Sequence, residues 1–407
     1  MKVTVVGGGS TYTPELAGGL AALELDELVL MDPDQERLAV VGGLATRMLR
    51  GRAGRVRLTT VLDDAVEGAD AVLLQLRVGG QRARHGDETW PLECGCVGQE
   101  TTGAGGLAKA LRTVPEVLRI AERVRALAPG AWLIDFTNPV GLVTRALLDA
   151  GHRAVGLCNV AIGFQRLFAR LHGCAPSELT LGHVGLNHLS WERSAWVDGV
   201  DVLPGLIERH VAELAGECEL PAELITALGV VPSYYLRFYY AHDQVVAEQL
   251  GRPTRAQEVL ELERRLLAMY PALDDKPELL EQRGGAFYST AAVDLLASLL
   301  HDRGDVQVVN VRNEGTLPFL PASAVIETPA RITAAGAVPL AVPAVEPLQA
   351  GLIAHVSAYE ELAVRAAACP DRAHVEAALL AHPLVGQYDL AQGLADRLLA
   401  AHQVWVS

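Results

Sequence analysis

The stretch KVTVVGGGSTYTPEL, running from Lys2 to Leu16, puts a β-branched run, three glycines and a helix start in immediate succession. Lys2–Val6 reads as a strand. Thr13 is placed to N-cap a helix, with Pro14 at its first position and Glu15 beside it. A glycine turn between a strand and a helix is the context in which a dinucleotide fingerprint carries weight. Gly7 can make the tight turn, and Gly9 lets the backbone approach a pyrophosphate on the helix N-terminus, with Ser10 and Thr11 in the same turn. Tyr12 stands where the third glycine would be, so the motif alone also fits a plain strand–helix turn. Asp32, after the strand Glu27–Met31, lies where a carboxylate binds a ribose hydroxyl. It favours NAD over NADP, whose 2′-phosphate it would repel; its other reading is helix capping before Pro33.

Outward from this stretch, strands and helices alternate. Asp70–Leu76, Trp132–Phe136 and Ala154–Leu157 read as further strands, with helices such as Gln35–Leu49 and Thr113–Leu127 between them. The alternation predicts an α/β fold: a Rossmann-type, doubly wound parallel sheet over residues 1–160 that binds NAD. The pattern then changes. Leu179–Asn187 and Ser194–Val202 read as paired strands with a turn at Asp198-Gly199, and residues 205–300 read as mainly helical. Val306–Val311 and Ala330–Val342 read as antiparallel strands before a helical end, Pro347–Ala401. Residues 161–407 are therefore expected to form an α+β domain for substrate, metal and oligomerisation. No long polar linker separates the halves, so they are expected to pack together.

The chain has 407 residues, half of them hydrophobic and 20% charged, with a net charge of −15. That balance disfavours nucleic acid, whose phosphates need a basic face. No apolar run has the length of a membrane span, and no signal peptide is read at the start, so the expectation is a cytoplasmic protein. Its cysteines, Cys94, Cys96, Cys158, Cys174, Cys218 and Cys369, lack the spacing of a disulfide scaffold or zinc ribbon and are expected to be reduced thiols.

Cys158-Asn159 sits where the strand Ala154–Leu157 turns into a helix, and His183 and His188 follow in GHVGLNHLSW. A thiolate and an imidazole from neighbouring strand ends can hold a divalent metal. A buried cysteine and a hydrogen-bonded histidine fit the same spacing. The wider set of motifs separates the two readings. GGGSTYTPEL, LQLRVGGQRARHGDE, GQETTGAGG, IDFTNPVG, GLCNVAIGF, GLNHLSW, YLRFYY, RGGAFYSTAA and VNVRNEG occur in that order over nearly the whole chain. In this the sequence resembles the NAD- and manganese-dependent glycosidases of glycoside hydrolase family 4, and within it the 6-phospho-β-glucosidase branch. The wider superfamily includes lactate and malate dehydrogenases, which lack the set.

The resemblance implies hydrolysis by transient oxidation rather than by paired carboxylates. The sugar is oxidised at C3 by NAD, the C2 proton becomes acidic and is removed, the aglycone leaves, water adds at C1, and C3 is reduced again. The resemblance further implies that Cys158 and His188 hold Mn²⁺ or another divalent metal, while His183, outside the matching position, is structural. It assigns Asn159 to the sugar hydroxyls and Tyr235, in SYYLRFYY, to the C2 proton, with Arg237 as a cation able to favour the phenolate. In the α-type branch the base is an aspartate, and Asp243 keeps that alternative open. The sugar phosphate is assigned to Arg77, Arg84, Asn138 and Arg283, and Glu100, Thr101 and Thr102 to the cofactor–substrate junction. The substrate is then a phosphorylated disaccharide or aryl glycoside, and the protein a homodimer or homotetramer. An NAD-dependent hydroxy-acid dehydrogenase is the alternative from another class. Two departures from the pattern stand out: Ala161 replaces a common proline, and Asp135 replaces an asparagine, which could shift the charge near the nicotinamide.

Overall fold

The computed structural model describes every residue except Ala53, Ala286 and Ser407. Its first six strands are β1 (Lys2–Val6), β2 (Glu27–Met31), β3 (Arg55–Thr59), β4 (Ala71–Leu74), β5 (Trp132–Asp135) and β6 (Ala154–Gly156). They are parallel in the order 3-2-1-4-5-6, the doubly wound arrangement that opens a crevice at the carboxyl ends of β1 and β4. Among these, β3 was not expected. It is the edge strand, half exposed and carrying Arg55 and Arg57, so its apolar signal is weak.

The second half adds β7 (Leu179–Leu186), β8 (Leu189–Val197), β9 (Val200–Asp201), β10 (Val231–Pro232), β11 (Val306–Arg312), β12 (Val325–Thr333) and β13 (Gly336–Pro339). No break separates them from the first six. Asn310 of β11 pairs antiparallel with Gly156 of β6, and the sheet continues through β12, β7 and β8 to β10. Packing of the two halves is therefore a shared sheet as well as apposed surfaces. The helix Tyr288–His301, for example, buries Leu295, Leu296 and Leu299 in one core with Val3, Val5 and Leu16.

Two local expectations change. Thr13 is the first helical residue, Tyr12 is the cap, and the Thr13 hydroxyl instead accepts from the Gln75 amide at 2.8 Å. The main hairpin turns at Asn187-His188, where Leu186 pairs with Leu189, and the Asp198-Gly199 turn only joins β8 to the short β9. Both hairpin strands are largely buried on both faces near this turn, so the alternation that marks a strand end is missing.

The fingerprint turn is held by close approach. Gly7 has φ +95°, and a Cβ there would lie 2.4 Å from the Gln75 carbonyl oxygen. Gly7→Ala should therefore lower unfolding free energy by about 1–3 kcal/mol in urea titrations, from αL strain plus overpacking.

Candidate active site

A cleft of about 850 Å³ opens at the carboxyl ends of the parallel strands. Gly7, Gly9, Ser10 and Asp32 line one part of it; Arg77, Arg84, Asn138, Asn159, Tyr235 and Arg283 line the other. Thr11 is fully buried behind the wall, where its hydroxyl accepts from Arg283 Nε at 3.2 Å and its carbonyl from the Tyr270 hydroxyl at 2.6 Å.

On the dinucleotide side, Asp32 Oδ2 accepts from the Gly9 N–H at 2.9 Å. A Cβ on residue 9 would sit 2.8 Å from that carboxyl, so glycine is what lets Asp32 close on the turn. Burial raises the Asp32 pKa, and the Asp34 and Gly9 N–H groups oppose it. The helix cap is Asp34, which accepts from Arg37 N at 3.0 Å, so Asp32 is free of that task.

The other part of the cleft is cationic. Glu100 is fully buried and ringed by Arg77, by Arg84 Nη1 at 3.2 Å and by Lys109 Nζ at 2.5 Å. Burial alone would raise the Glu100 carboxyl, but Arg77, Lys109 and Arg84 hold it well below its ordinary value. Burial pulls Lys109 down to about 7 against the pull of Glu100. Arg84 also bonds Glu88 at 2.6 Å, and Arg283 bonds Glu263 at 3.2 Å. Each arginine is thus held by a carboxylate, and Arg37 shares Glu263 with Arg283, so the guanidinium groups outnumber these acids and leave positive potential for an anion.

Where β6 ends, Cys158 is buried, and burial, followed by the Glu327 charge, pushes its thiol well up. His188 occupies the hairpin tip with φ +61°, a left-handed conformation that costs a non-glycine residue about 1–2 kcal/mol. Its Nδ1 lies 2.9 Å from Thr101 Oγ1, and that hydroxyl lies 2.8 Å from Gln99 Oε1. An amide oxygen only accepts, so the hydroxyl donates to it and His188 Nδ1–H donates to the hydroxyl. Nε2 therefore carries the lone pair. Burial lowers the His188 pKa to about 4, which keeps the ring neutral. The ring stacks on Tyr235 at 3.6 Å and 8°. Burial, then the Cys158 and Glu100 charges, pushes the Tyr235 hydroxyl far up, while Arg84 pulls it down. Cys158 and His188 are thus both buried beside Tyr235, and a thiol with a neutral imidazole is a donor set whose chemistry suits a divalent cation.

The chain matches the models for family 4 glycosyl hydrolase over residues 2–174 and for the family 4 glycosyl hydrolase C-terminal domain over residues 183–385. The chain belongs to glycosyl hydrolase family 4. It is 36% identical to a probable 6-phospho-β-glucosidase of Bacillus subtilis, over all of this chain and 97% of that protein. It superposes with a TM-score of 0.95 on the 6-phospho-β-glucosidase of Thermotoga maritima, solved with manganese, NAD⁺ and glucose 6-phosphate, at 33% identity over all of this chain and 99% of that one. A 6-phospho-α-glucosidase from gut microorganisms, solved with NAD and glucose 6-phosphate, follows at 0.91 and 27% identity, over all of this chain and 98% of its own.

Within this family 4 chain several expected roles move. Arg237 bonds Tyr234, Glu248 and Glu219, and the cation facing Tyr235 is Arg84. Asp243 is fully solvent-exposed beside His242, away from the buried corner. Asp135 is buried and accepts from Thr137 N at 2.9 Å and Thr144 Oγ1 at 3.2 Å. Burial pushes its carboxyl well up, which disfavours the charged form there. Ala161 lies in the first turn of the helix Val160–His172, a position proline also tolerates. Residues the sequence reading did not single out include Lys109, Tyr288, Glu192 and Glu327. The last two sit inside apolar strands, SWERS and VIETP, and a carboxylate in such a run is a signal in itself.

Both Glu192 and Glu327 face His183. Against burial, Glu192 and then Glu327 raise its pKa to about 10. The folded state binds the proton more tightly than the unfolded chain, so this stabilisation is complete below about pH 6.5 and lost as pH rises towards 10. The difference in unfolding free energy between wild type and His183→Gln should shrink over that window, measured by denaturant titration at stepped pH.

Proposed function

We propose that this chain hydrolyses 6-phospho-β-glucosides using NAD and a divalent metal, with Mn²⁺ as the metal of its relative. The observation that carries the reading is the buried corner at Tyr235, which stacks on a His188 ring locked by Thr101 and feels the Cys158 sulfur, and which opens through Tyr235 and Asn159 on the cleft that also contains the dinucleotide turn. When bound, NAD supplies a reversible hydride acceptor and the metal a Lewis acid for the oxygens next to the oxidised carbon.

This chain's own residues do the rest. Gly7, Gly9 and Ser10 offer a turn against which a pyrophosphate can lie, and Asp32 receives a ribose hydroxyl. Cys158 and His188 Nε2 hold the metal. Asn159, on the same turn as Cys158, faces the sugar hydroxyls. Arg77, Arg84, Arg283 and Asn138 take the 6-phosphate, with the arginines held in place by Glu100, Glu88 and Glu263. Tyr235 removes the C2 proton. Its hydroxyl is raised first by burial and then by the Cys158 and Glu100 charges, and Arg84 is the cation that opposes them. Asp243 lies too far into solvent to serve as the base of an α-type site.

We assign the enzyme to the cytoplasm, where its free thiols stay reduced. Among the described residues, no helix is long and apolar enough to cross a membrane. A homodimer or homotetramer is the assembly the family suggests, and sedimentation equilibrium reads it directly.

The test is turnover of a 6-phospho-β-glucoside in D₂O with NAD⁺ and Mn²⁺. Deuterium should appear at C2 of the released sugar phosphate, without net NADH. Cleavage without exchange refutes the mechanism, and stoichiometric NADH points to a dehydrogenase. Cleavage of the α-anomer alone refutes the β assignment. Tyr235→Phe should lower kcat by about 10²–10⁴-fold, the usual scale for a lost general base, with NAD⁺ affinity unchanged. Removing metal with EDTA should abolish turnover in wild type, Mn²⁺ should restore it, and Cys158→Ser should not recover.

A further inference from the structure

Behind the Cys158–His188 corner lies a buried polar chain that the proposed reaction does not use. His183 Nδ1 is 2.7 Å from Glu192 Oε1, and its Nε2 is 3.1 Å from Glu327 Oε1. Glu192 and then Glu327 raise the His183 pKa to about 10 against burial, so the ring is an imidazolium and both its nitrogens donate. All three residues are 1% exposed. The second oxygen of Glu327 accepts from Asn310 Nδ2 at 2.8 Å and from Asn187 Nδ2 at 3.2 Å. The Asn187 side chain lies close enough to the Cys158 sulfur to lower the thiol's pKa against burial, and Asn187 directly precedes His188. The chain therefore ends on both donor residues.

Its charge matches the need of such a site. Two carboxylates and one imidazolium carry one net negative charge. A dication on one thiolate carries one net positive charge. In a dry interior an unbalanced charge is strongly disfavoured, so these two units belong together. Burial pushes the Glu360 carboxyl up to about 8 against the pull of Arg145, and the Glu327 charge adds to that rise.

We propose that Glu192–His183–Glu327 is a positioning and charge-balancing chain for the divalent metal, in which Glu327 holds Asn187 against the Cys158 sulfur and supplies the negative charge that a thiolate-bound dication requires. The inference rests on the Cys158–His188 metal site. Groups of this kind behind metal ligands orient the donors and tune affinity.

The experiment is Mn²⁺ titration of the full chain with NAD⁺ and no sugar, read by the electron paramagnetic resonance signal of free aqueous Mn²⁺. The cobalt-loaded protein is read in parallel through its thiolate-to-metal absorption band, and unfolding of metal-free protein by circular dichroism. Wild type should bind and Cys158→Ser should not. If wild type fails to bind, or Cys158→Ser binds equally, the metal-site reading itself falls, and this proposal with it. With that reading intact, Glu327→Gln should raise the Mn²⁺ dissociation constant about 10–100-fold and shift the cobalt band. A merely structural Glu327 would lower the unfolding midpoint while Mn²⁺ affinity stays within about threefold and the band stays put, and that outcome overturns the proposal. If Glu327→Gln does not fold, Asn187→Ala at the half-buried hairpin tip decides in its place. Weakened Mn²⁺ binding supports the chain, and unchanged binding overturns it.

Discussion

One row of paired residues crosses the sheet next to the site: Thr59, Met31, Val6, Leu74, Asp135, Gly156, Asn310, Glu327, Gly185 and Ser190. Its joint is Gly156–Asn310, where the parallel half meets the antiparallel half. A Cβ on residue 156 would lie 2.2 Å from Thr144 Oγ1 and 2.9 Å from Asn310 Cβ, so the joint closes only around glycine. The rest of the site hangs from this row. Past Gly156 the chain delivers Cys158, past Gly185 it delivers His188, and past Leu74 it delivers Arg77. Because all three leave the sheet near the same row, they are brought to the same end of the sheet although the sequence scatters them.

The row also explains why so much polarity lies inside the protein. Asp135, Asn310 and Glu327 are buried in strands, where an unpaired polar group is costly. Asp135 answers that cost by accepting from Thr137 and Thr144; Glu327 answers it with His183 and two amides. Around the cleft the same desolvation favours the neutral forms of Cys158, His188 and Tyr235. A neutral imidazole is already the ligand form. The thiol must lose its proton, which links cation binding to pH.

Much of this was legible in the sequence. Buried parallel strands are apolar throughout and end in turn residues, so β1, β2, β4, β5 and β6 and the glycine turn are readable within a residue or two. The edge strand β3 was not, since its charged residues face solvent. Arg237 is close to Tyr235 in sequence, yet its guanidinium is taken up by Tyr234, Glu219 and Glu248, and Arg84 arrives from a different element. The turn at His188 was hidden because Asn-His is a weaker turn signal than the Asp-Gly that follows it.

By itself the sequence determined the local rules: which runs must be buried, where glycine is needed for close approach, and which ordered motifs place the chain in its family. Only the tertiary structure decided which charges face each other. Glu100 meets Arg77, Arg84 and Lys109, and His183 meets Glu192 and Glu327, because strand register and helix packing bring distant segments together. Hydrophobic periodicity is a local property written along the chain. Coulombic pairing and desolvation depend on distance and on the exclusion of water, and neither exists until the chain is folded.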